Sequence, residues 1–180
     1  MVFLFRLLGR LPLGLLHHLG ALAGWATYLF SPTYRRHLRE NVRQAGLDDG
    51  VRRAAVGEAG KQMLELARIL SKTQAEASAL VAEVNGWEHV EAAQQAGKGI
   101  VFLTPHLGCF EITAQYYSGF GDITVLYRAP RQAAIQQMIL DGRQRANLHL
   151  APADVSGVRA LIKALKKGQA VGMLPDQAPK

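Results

Sequence analysis

The pattern of hydrophobic and polar residues divides the chain into a helical first part and an alternating second part. Leu11–Phe30 is an apolar run without a formal charge, and a helix of that length would span roughly 30 Å. Directly after it, Ser31 and Pro32 predict a helix start, because serine is a favoured N-cap and proline a favoured first helical residue. Apolar residues at spacings of three and four then predict a further helix over Val56–Leu70.

The second part, from residue 84 onwards, alternates between patterns typical of strands and of helices. Short apolar runs predict strands at residues 100–103, 123–127, 148–150 and 170–174, the first of them buried on both faces. Between these runs the pattern predicts helices at residues 111–118, 133–145 and 156–167. Such alternation is typical of a mainly parallel sheet flanked by helices. We therefore predict an α/β fold, in which residues 1–45 form N-terminal helices and residues 46–180 form the α/β domain.

The charge distribution suggests a membrane-associated N-terminal part. The chain carries 21 basic and 14 acidic residues, a formal net charge of +7, which favours anionic partners. Residues 1–45 contain six arginines against Glu40 alone, on both sides of the apolar run, as suits anionic headgroups. More of these arginines follow the apolar run than precede it, which predicts that the following domain lies in the cytoplasm. We predict an anchor or an interfacial helix; the alternative is a buried core helix followed by a solvated basic helix.

Composition argues against several other classes of function. Cys109 is the single cysteine, so the chain has no internal disulfide, and a cysteine-based zinc site is not expected. His17 and His18 are adjacent on a predicted helix and would point in different directions, so we predict no metal site. The sequence contains no glycine-rich phosphate loop of the Walker type. Nucleic-acid binding fits the charge, but no recognised motif accompanies the basic residues.

Candidate chemistry lies in the segment PHLGCFE, which directly follows the predicted strand at residues 100–103. Ligands of α/β sheets bind outside the carboxyl ends of the strands, so His106 lies where chemistry is expected. Glu111 lies five residues further on, in the first turn of the next predicted helix. Its carboxylate can accept the proton of one imidazole nitrogen, which fixes the tautomer and leaves the other nitrogen as a general base. Asp176 also follows a predicted strand, so it is a second candidate site residue at a carboxyl end. The alternative is that it only forms a turn with Pro175.

Four segments together resemble one known family: GIVFLTPHLGCFEI, VLYRAPR, ILDGRQR and GVRALIKALKKGQAVGMLPDQAP. They are similar to the lipid A late acyltransferases, the lauroyl and myristoyl transferases of Gram-negative bacteria, within the lysophospholipid and glycerolipid acyltransferase superfamily. With RLPLGLLHHLGALAG and YRRHLRENV near the N-terminus, the resemblance covers nearly the whole chain. It implies a glycerolipid acyltransferase-like fold. It also implies transfer of a fatty acyl chain from acyl carrier protein, or alternatively from acyl-CoA, to a hydroxyl of a lipid A precursor.

The resemblance also implies roles for individual residues. His106 would deprotonate the acceptor hydroxyl and Glu111 would orient His106. The hydroxyl would attack the acyl carrier protein thioester, the co-substrate, directly, without a covalent enzyme intermediate or a cofactor. By resemblance, substrate binding is assigned to four further residues: Arg128, Arg143, Arg145 and Asp176. The arginines would meet the substrate phosphate or hold the active site, and Asp176 would order the substrate or support the arginines. For Arg128 and Arg145 the alternative is a surface or helix-capping arginine.

The same resemblance implies a place at the cytoplasmic face of the inner membrane, with acyl carrier protein, a phosphorylated glycolipid and inner-membrane lipids as partners. Family members continue beyond residue 180, so we expect the chain to be incomplete at its C-terminal end. A basic helix face at residues 159–167 is a candidate contact for the acidic carrier or for headgroups, or else a solvated face. Three alternatives stay open: acylation of another membrane lipid, a non-catalytic module that binds membrane or carrier, and a hydrolase in which Cys109 or water attacks the thioester.

Overall fold

The computed structural model describes residues 2–128, 133–143 and 146–176. Contacts divide the chain into two compact units, one formed by Phe3–Ser71 and the other beginning at Lys72. The sequence predicted a boundary nearer residue 45. The two divisions differ because the helix over Asp49–Leu70 packs on the apolar helix of the first unit. Each unit is therefore described by itself.

The first unit is built from helices. They are α1 (Val2–Arg10), α2 (Leu13–Phe30), α3 (Pro32–Gln44) and α4 (Asp49–Leu70). The predicted helix start at Ser31 is confirmed, because its side-chain oxygen accepts a hydrogen bond from the backbone N–H of Tyr34 at 3.3 Å. Asp48 caps α4 in the same way. Within residues 2–128, 133–143 and 146–176, no helix has both the length and the apolar character that a membrane crossing requires.

Glycines bring α2 and α4 into close contact. A Cβ atom added at Gly60 of α4 would lie 2.0 Å from the carbonyl oxygen of Gly20 and 2.8 Å from the Cα atom of Gly24, both on α2. Any side chain at Gly60 would therefore force the two helices apart. Leu16 and Tyr28 of α2 are buried in the same unit. One face of the apolar run is thus a packing face within the first unit.

The second unit is a parallel sheet with helices, as predicted. Its strands are β1 (Ile100–Leu103), β2 (Ile123–Tyr127), β3 (Leu148–Pro152) and β4 (Ala170–Met173). They pair in the order β1-β4-β2-β3, and every described pairing is parallel. The helices are α5 (Gln74–Ser78), α6 (Trp87–Ala96), α7 (Glu111–Tyr117), α8 (Ala133–Arg143) and α9 (Val155–Lys166).

Apolar side chains cover the sheet on two faces. On one face, Ile123, Leu148 and Ala170 form a buried cluster with Tyr117 of α7. On the other face, Val171 of β4 packs with the buried residues of α9. Because all four strands run in parallel, their carboxyl ends lie along one edge of the sheet.

One prediction about the sheet is wrong. The strand at 100–103 was expected to be buried on both faces, but Val101 and Leu103 are 49% and 63% exposed. The reason is position: β1 is an edge strand of the described sheet, paired only with β4 there, and α9 contacts β2, β3 and β4. A continuous apolar run therefore marked a strand correctly without showing where in the sheet it lies.

Candidate active site

Two neighbouring strands bring His106 and Asp176 together although they lie 70 residues apart in the chain. β1 pairs with β4 in register, with Leu103 opposite Met173. The pairing extends past the strand ends, since the backbone N–H of Thr104 donates to the carbonyl oxygen of Met173 at 3.0 Å. His106 follows β1 and Asp176 follows β4, so both side chains emerge at the same carboxyl edge.

The Asp176 carboxylate binds His106 at two points. One oxygen lies 2.8 Å from Nδ1 of the imidazole, and the other accepts the backbone N–H of His106 at 2.7 Å. These hydrogen bonds, from the His106 side chain first and its backbone second, hold the pKa of the Asp176 carboxyl below its usual value of 3.8. Because an ionised carboxylate only accepts, Nδ1 carries the proton and Nε2 is the basic nitrogen of the neutral ring.

Local structure helps to place the imidazole. Gly108 adopts a positive φ of 57°, a conformation that glycine takes without a steric cost, and it turns the chain between His106 and the start of α7. The ring of Phe110 then lies 4.8 Å from the imidazole ring, centroid to centroid, in an edge-to-face arrangement.

A second charged pair joins two helix ends. Glu111 is in the first turn of α7 and Arg143 in the last turn of α8, positions at which the helix dipoles favour an acid and a base respectively. Nε and Nη2 of Arg143 each donate to one carboxylate oxygen of Glu111 at 2.6 Å. The side chains are only 10% and 20% exposed. This is the bidentate geometry in which arginine and carboxylate bind most strongly.

The His106–Asp176 and Glu111–Arg143 pairs differ from the pairing that the sequence predicted. The sequence predicted that Glu111 would accept a proton from an imidazole nitrogen of His106. The carboxylate at Nδ1 is that of Asp176 instead, and both oxygens of Glu111 accept from Arg143. The prediction differed because spacing along the chain favours the nearest acid, whereas the β1–β4 pairing that brings Asp176 to His106 cannot be read from local spacing.

The other predicted site residues are placed as follows. Arg128 comes directly after β2 at the same edge of the sheet, and it is exposed. Arg145 lies outside the described residues. Tyr127, the last residue of β2, was not among the predicted site residues; its ring centroid lies 5.6 Å from Cζ of Arg143. Its position one residue before the predicted Arg128 was the only signal that could have found it.

An apolar pocket adjoins the charged groups. Glu111 and Arg143 form part of its wall. The rest is mainly apolar, from the strands and from the segment after His106, and includes Phe102, Phe110, Ile123, Val125, Met173 and Leu174. The pocket is small, with a volume of about 60 Å³, and its wall combines apolar side chains with charged groups beside them. In the described part of the chain, no group of three or more histidine, cysteine or acidic side chains is arranged to hold a metal ion.

The fold and the site together define a class: an α/β protein with a carboxylate-bound histidine at the carboxyl edge of its sheet, suited to proton transfer. The chain matches the family model of bacterial lipid A biosynthesis acyltransferases over residues 1–179, and it belongs to that family. The resemblance recognised in the sequence is thereby confirmed, and the family is one of acyltransferases. No curated protein matches the chain.

Proposed function

We propose that this protein transfers a fatty acyl chain from an acyl carrier protein thioester to a hydroxyl of a lipid A precursor, with His106 as general base. The observation that carries the proposal is the carboxylate-bound imidazole at the strand ends, with Nδ1 of His106 2.8 Å from Asp176. Membership of the lipid A biosynthesis acyltransferase family supports the reaction class. The carrier and the acceptor come from the resemblance.

The proposed chemistry uses the two nitrogens of one imidazole. Nε2 takes the proton of the acceptor hydroxyl while the hydroxyl oxygen bonds to the thioester carbonyl carbon. The Asp176 carboxylate, hydrogen-bonded at Nδ1, stabilises the imidazolium that forms. When the tetrahedral intermediate collapses, the carbon–sulfur bond breaks and the leaving carrier thiolate takes the proton from Nε2. Asp176 thus has the orienting role first assigned to Glu111.

Glu111 and Arg143 have a different role in this proposal. Glu111 accepts from two nitrogens of the guanidinium, which fixes the plane and direction of its remaining donors. Arg143 is then proposed to meet a phosphate or the developing oxyanion, because arginine suits both. Arg128 and Arg145 stay proposed phosphate contacts on the strength of the resemblance.

The acyl chain is proposed to enter the apolar pocket beside Glu111. Its wall includes Phe102, Ile123 and Val125, from the strands β1 and β2. Replacing Val125 by a larger apolar residue should then shift the preferred acyl chain towards shorter lengths.

The proposed setting is the cytoplasmic face of the inner membrane, with acyl carrier protein, the phosphorylated glycolipid and membrane lipids as partners and no cofactor. A basic face on α9 that contains Arg159, Lys163 and Lys166 suits an acidic carrier protein. The resemblance and the charge of the surface support these proposals.

The experiment incubates the purified chain with acyl carrier thioester and lipid A precursor, and measures both lipid mass and free fatty acid. Gain of one acyl chain on the lipid, dependent on His106, supports the proposal. Release of free fatty acid without acceptor, lost in Cys109→Ser, would instead indicate a hydrolase. Acylation of a different membrane lipid in place of the precursor would keep the reaction and change the acceptor.

A further inference from the structure

Tyr127 ends strand β2 and shares one face of that strand with two residues of the pocket wall. Side chains alternate along a strand, so Ile123, Val125 and Tyr127 point to the same face of the sheet. Ile123 and Val125 line the apolar pocket. The pairing of β2 with β3 fixes the backbone of Tyr127, since its carbonyl oxygen accepts the N–H of Ala153 at 3.0 Å. The strand therefore places the Tyr127 ring at the carboxyl edge of the sheet.

The ring of Tyr127 contacts the charged pair at this edge. Cζ of Arg143 lies over the ring, 5.6 Å from its centroid, within the distance at which a guanidinium and an aromatic ring attract each other. The same guanidinium donates through Nε and Nη2 to the two carboxylate oxygens of Glu111, both at 2.6 Å. Arg143 is therefore held by two side chains, by Glu111 through hydrogen bonds and by Tyr127 through its ring.

Burial strengthens the contact between the ring and the guanidinium. The side chains of Arg143 and Glu111 are only 20% and 10% exposed, so water screens the guanidinium charge little. The attraction between a cation and a ring is larger where the cation is desolvated. A planar guanidinium also stacks on aromatic rings, so the Tyr127 ring limits the orientations in which Arg143 can bind the carboxylate.

The hydroxyl group of Tyr127 takes no part in these contacts. Its oxygen is buried and has no hydrogen-bond partner among the described residues, although a buried tyrosine hydroxyl normally has one. Tyr28 in the first unit shows the usual arrangement. Cζ of Arg52 lies 5.4 Å from the Tyr28 ring centroid, and the Tyr28 hydroxyl accepts from Nε of Arg39 at 3.2 Å. At Tyr127 the contact with arginine is made by the ring alone.

We propose that Tyr127 is a positioning residue for acyl transfer: its ring holds the Arg143 guanidinium in the bidentate geometry with Glu111. This inference rests on the proposed function, in which Arg143 meets a phosphate or the developing oxyanion. Tyr127 acts through Arg143 and does not itself touch the reacting atoms. An aromatic ring suits this role because it restrains the guanidinium without using any of its N–H donors.

The first experiment measures kcat/KM for acyl transfer in two Tyr127 variants. Tyr127→Phe keeps the ring and should retain the activity. Tyr127→Leu removes the ring and should lower kcat/KM about fivefold to tenfold, by changing the same parameter, kcat or KM, as Arg143→Gln does. The matched control is Tyr116→Leu, which should keep kcat/KM. It removes another half-buried tyrosine ring of the same unit, whose ring contacts are with Trp87 and Phe120.

A double variant separates positioning from packing. In an Arg143→Gln background, Tyr127→Leu should have no further effect on kcat/KM, because the side chain that the ring positions is absent. A loss of packing alone would lower the activity by the same factor in both backgrounds, so full additivity would overturn the proposal. An equal loss in Tyr127→Phe and Tyr127→Leu would also overturn it, since the hydroxyl would then be the cause. So would an equal loss in Tyr116→Leu, because removal of any ring would then have the same effect.

The second experiment observes the guanidinium by nuclear magnetic resonance and needs no substrate. The Nε–H signal of Arg143, assigned by its loss in Arg143→Gln, should exchange slowly with water because this group donates to Glu111 in a mostly buried pair. Tyr127→Leu should speed that exchange about fivefold to tenfold, whereas Tyr127→Phe and Tyr116→Leu should leave it unchanged. Equal exchange rates in Tyr127→Leu and the unchanged chain would overturn the proposal. Failure of the proposed reaction would show itself differently, as activity that persists in His106→Ala.

Discussion

Two histidine–aspartate pairs lie at opposite ends of the same parallel sheet. His106 and Asp176 meet at the carboxyl end, and His149 and Asp122 meet at the amino end, where β3 and β2 begin. The nitrogen–oxygen distance is 2.8 Å in both. In both, a hydrogen bond from histidine is the main cause that lowers the pKa of the aspartate. The pair alone therefore does not distinguish a catalytic site from a surface contact.

The surroundings of the two pairs differ. Asp176 also accepts the backbone N–H of His106, and the segment after His106 contributes Phe110 and Glu111 to the apolar pocket. Asp122 instead accepts a side-chain hydrogen bond from Gln169 at 3.0 Å. The carboxyl end of a parallel sheet collects the loops that bind ligands. The position of His106 at the carboxyl end of the sheet therefore supports a functional role, whereas its contact with an aspartate alone does not.

The largest expected difference is between His106→Ala and His149→Ala. Loss of a general base lowers the rate about 10²–10⁴-fold, so His106→Ala should lose acyl transfer by that factor. His149→Ala should retain the activity, because it breaks a pair of the same geometry at the other end of the sheet. The measurement is the initial rate of lipid acylation with both proteins at equal concentration. Equal losses in the two variants would mean that the histidines act on folding and that the site assignment fails.

The next effect tests the Glu111–Arg143 pair at the carboxyl end, which has no counterpart at the amino end among the described residues. Glu111→Gln and Arg143→Gln should each lower kcat/KM about 10- to 100-fold, because each disrupts the bidentate pair of charge-assisted hydrogen bonds. A glutamine keeps only one accepting oxygen in place of Glu111, and only one donating group in place of Arg143. If the residues act as a pair, the double variant should cost little more than either single variant. Losses that simply multiply in the double variant would assign independent roles to Glu111 and Arg143.

A smaller effect on the acylation rate should distinguish Asp176 from Asp122. Asp176→Asn should lower the acylation rate about tenfold, because an amide forms a weaker hydrogen bond than a carboxylate and can also present its NH₂ group to Nδ1. Asp122→Asn is the matched control and should leave the rate unchanged. A rate for Asp176→Asn equal to that of the unchanged chain would show that the His106–Asp176 bond only supports the loop.

The sequence predicted most of the fold, but it did not predict which side chains of the site bind one another. Parallel strands and helix starts depend on local patterns, so β2 and the cap at Ser31 were predictable. The partner of Glu111 was not, because Arg143 lies 32 residues away and reaches it from another helix. The partner of His106 depends on β4 being inserted beside β1. Strand order is a global property that no local spacing contains.

The smallest expected effect is on stability in acid. His149 and Gln169 hold the pKa of Asp122 below its usual value of 3.8, so the ionised form stabilises the folded state above that value. This stabilisation is lost as pH falls through the lowered pKa. Asp122→Asn should therefore be less stable than the unchanged chain near neutral pH, and the two should converge as pH falls through the lowered pKa of Asp122. The effect is small because the Asp122 side chain is 40% exposed.

Trp87 can report this effect, because it packs against the core of the second unit. In a Trp25→Phe background, its fluorescence gives the urea midpoint of that unit at a series of pH values. His149→Ala should reproduce the convergence seen in Asp122→Asn, since it removes the main cause of the lowered pKa. A constant difference between Asp122→Asn and the unchanged chain at every pH would show that the amide disturbs packing.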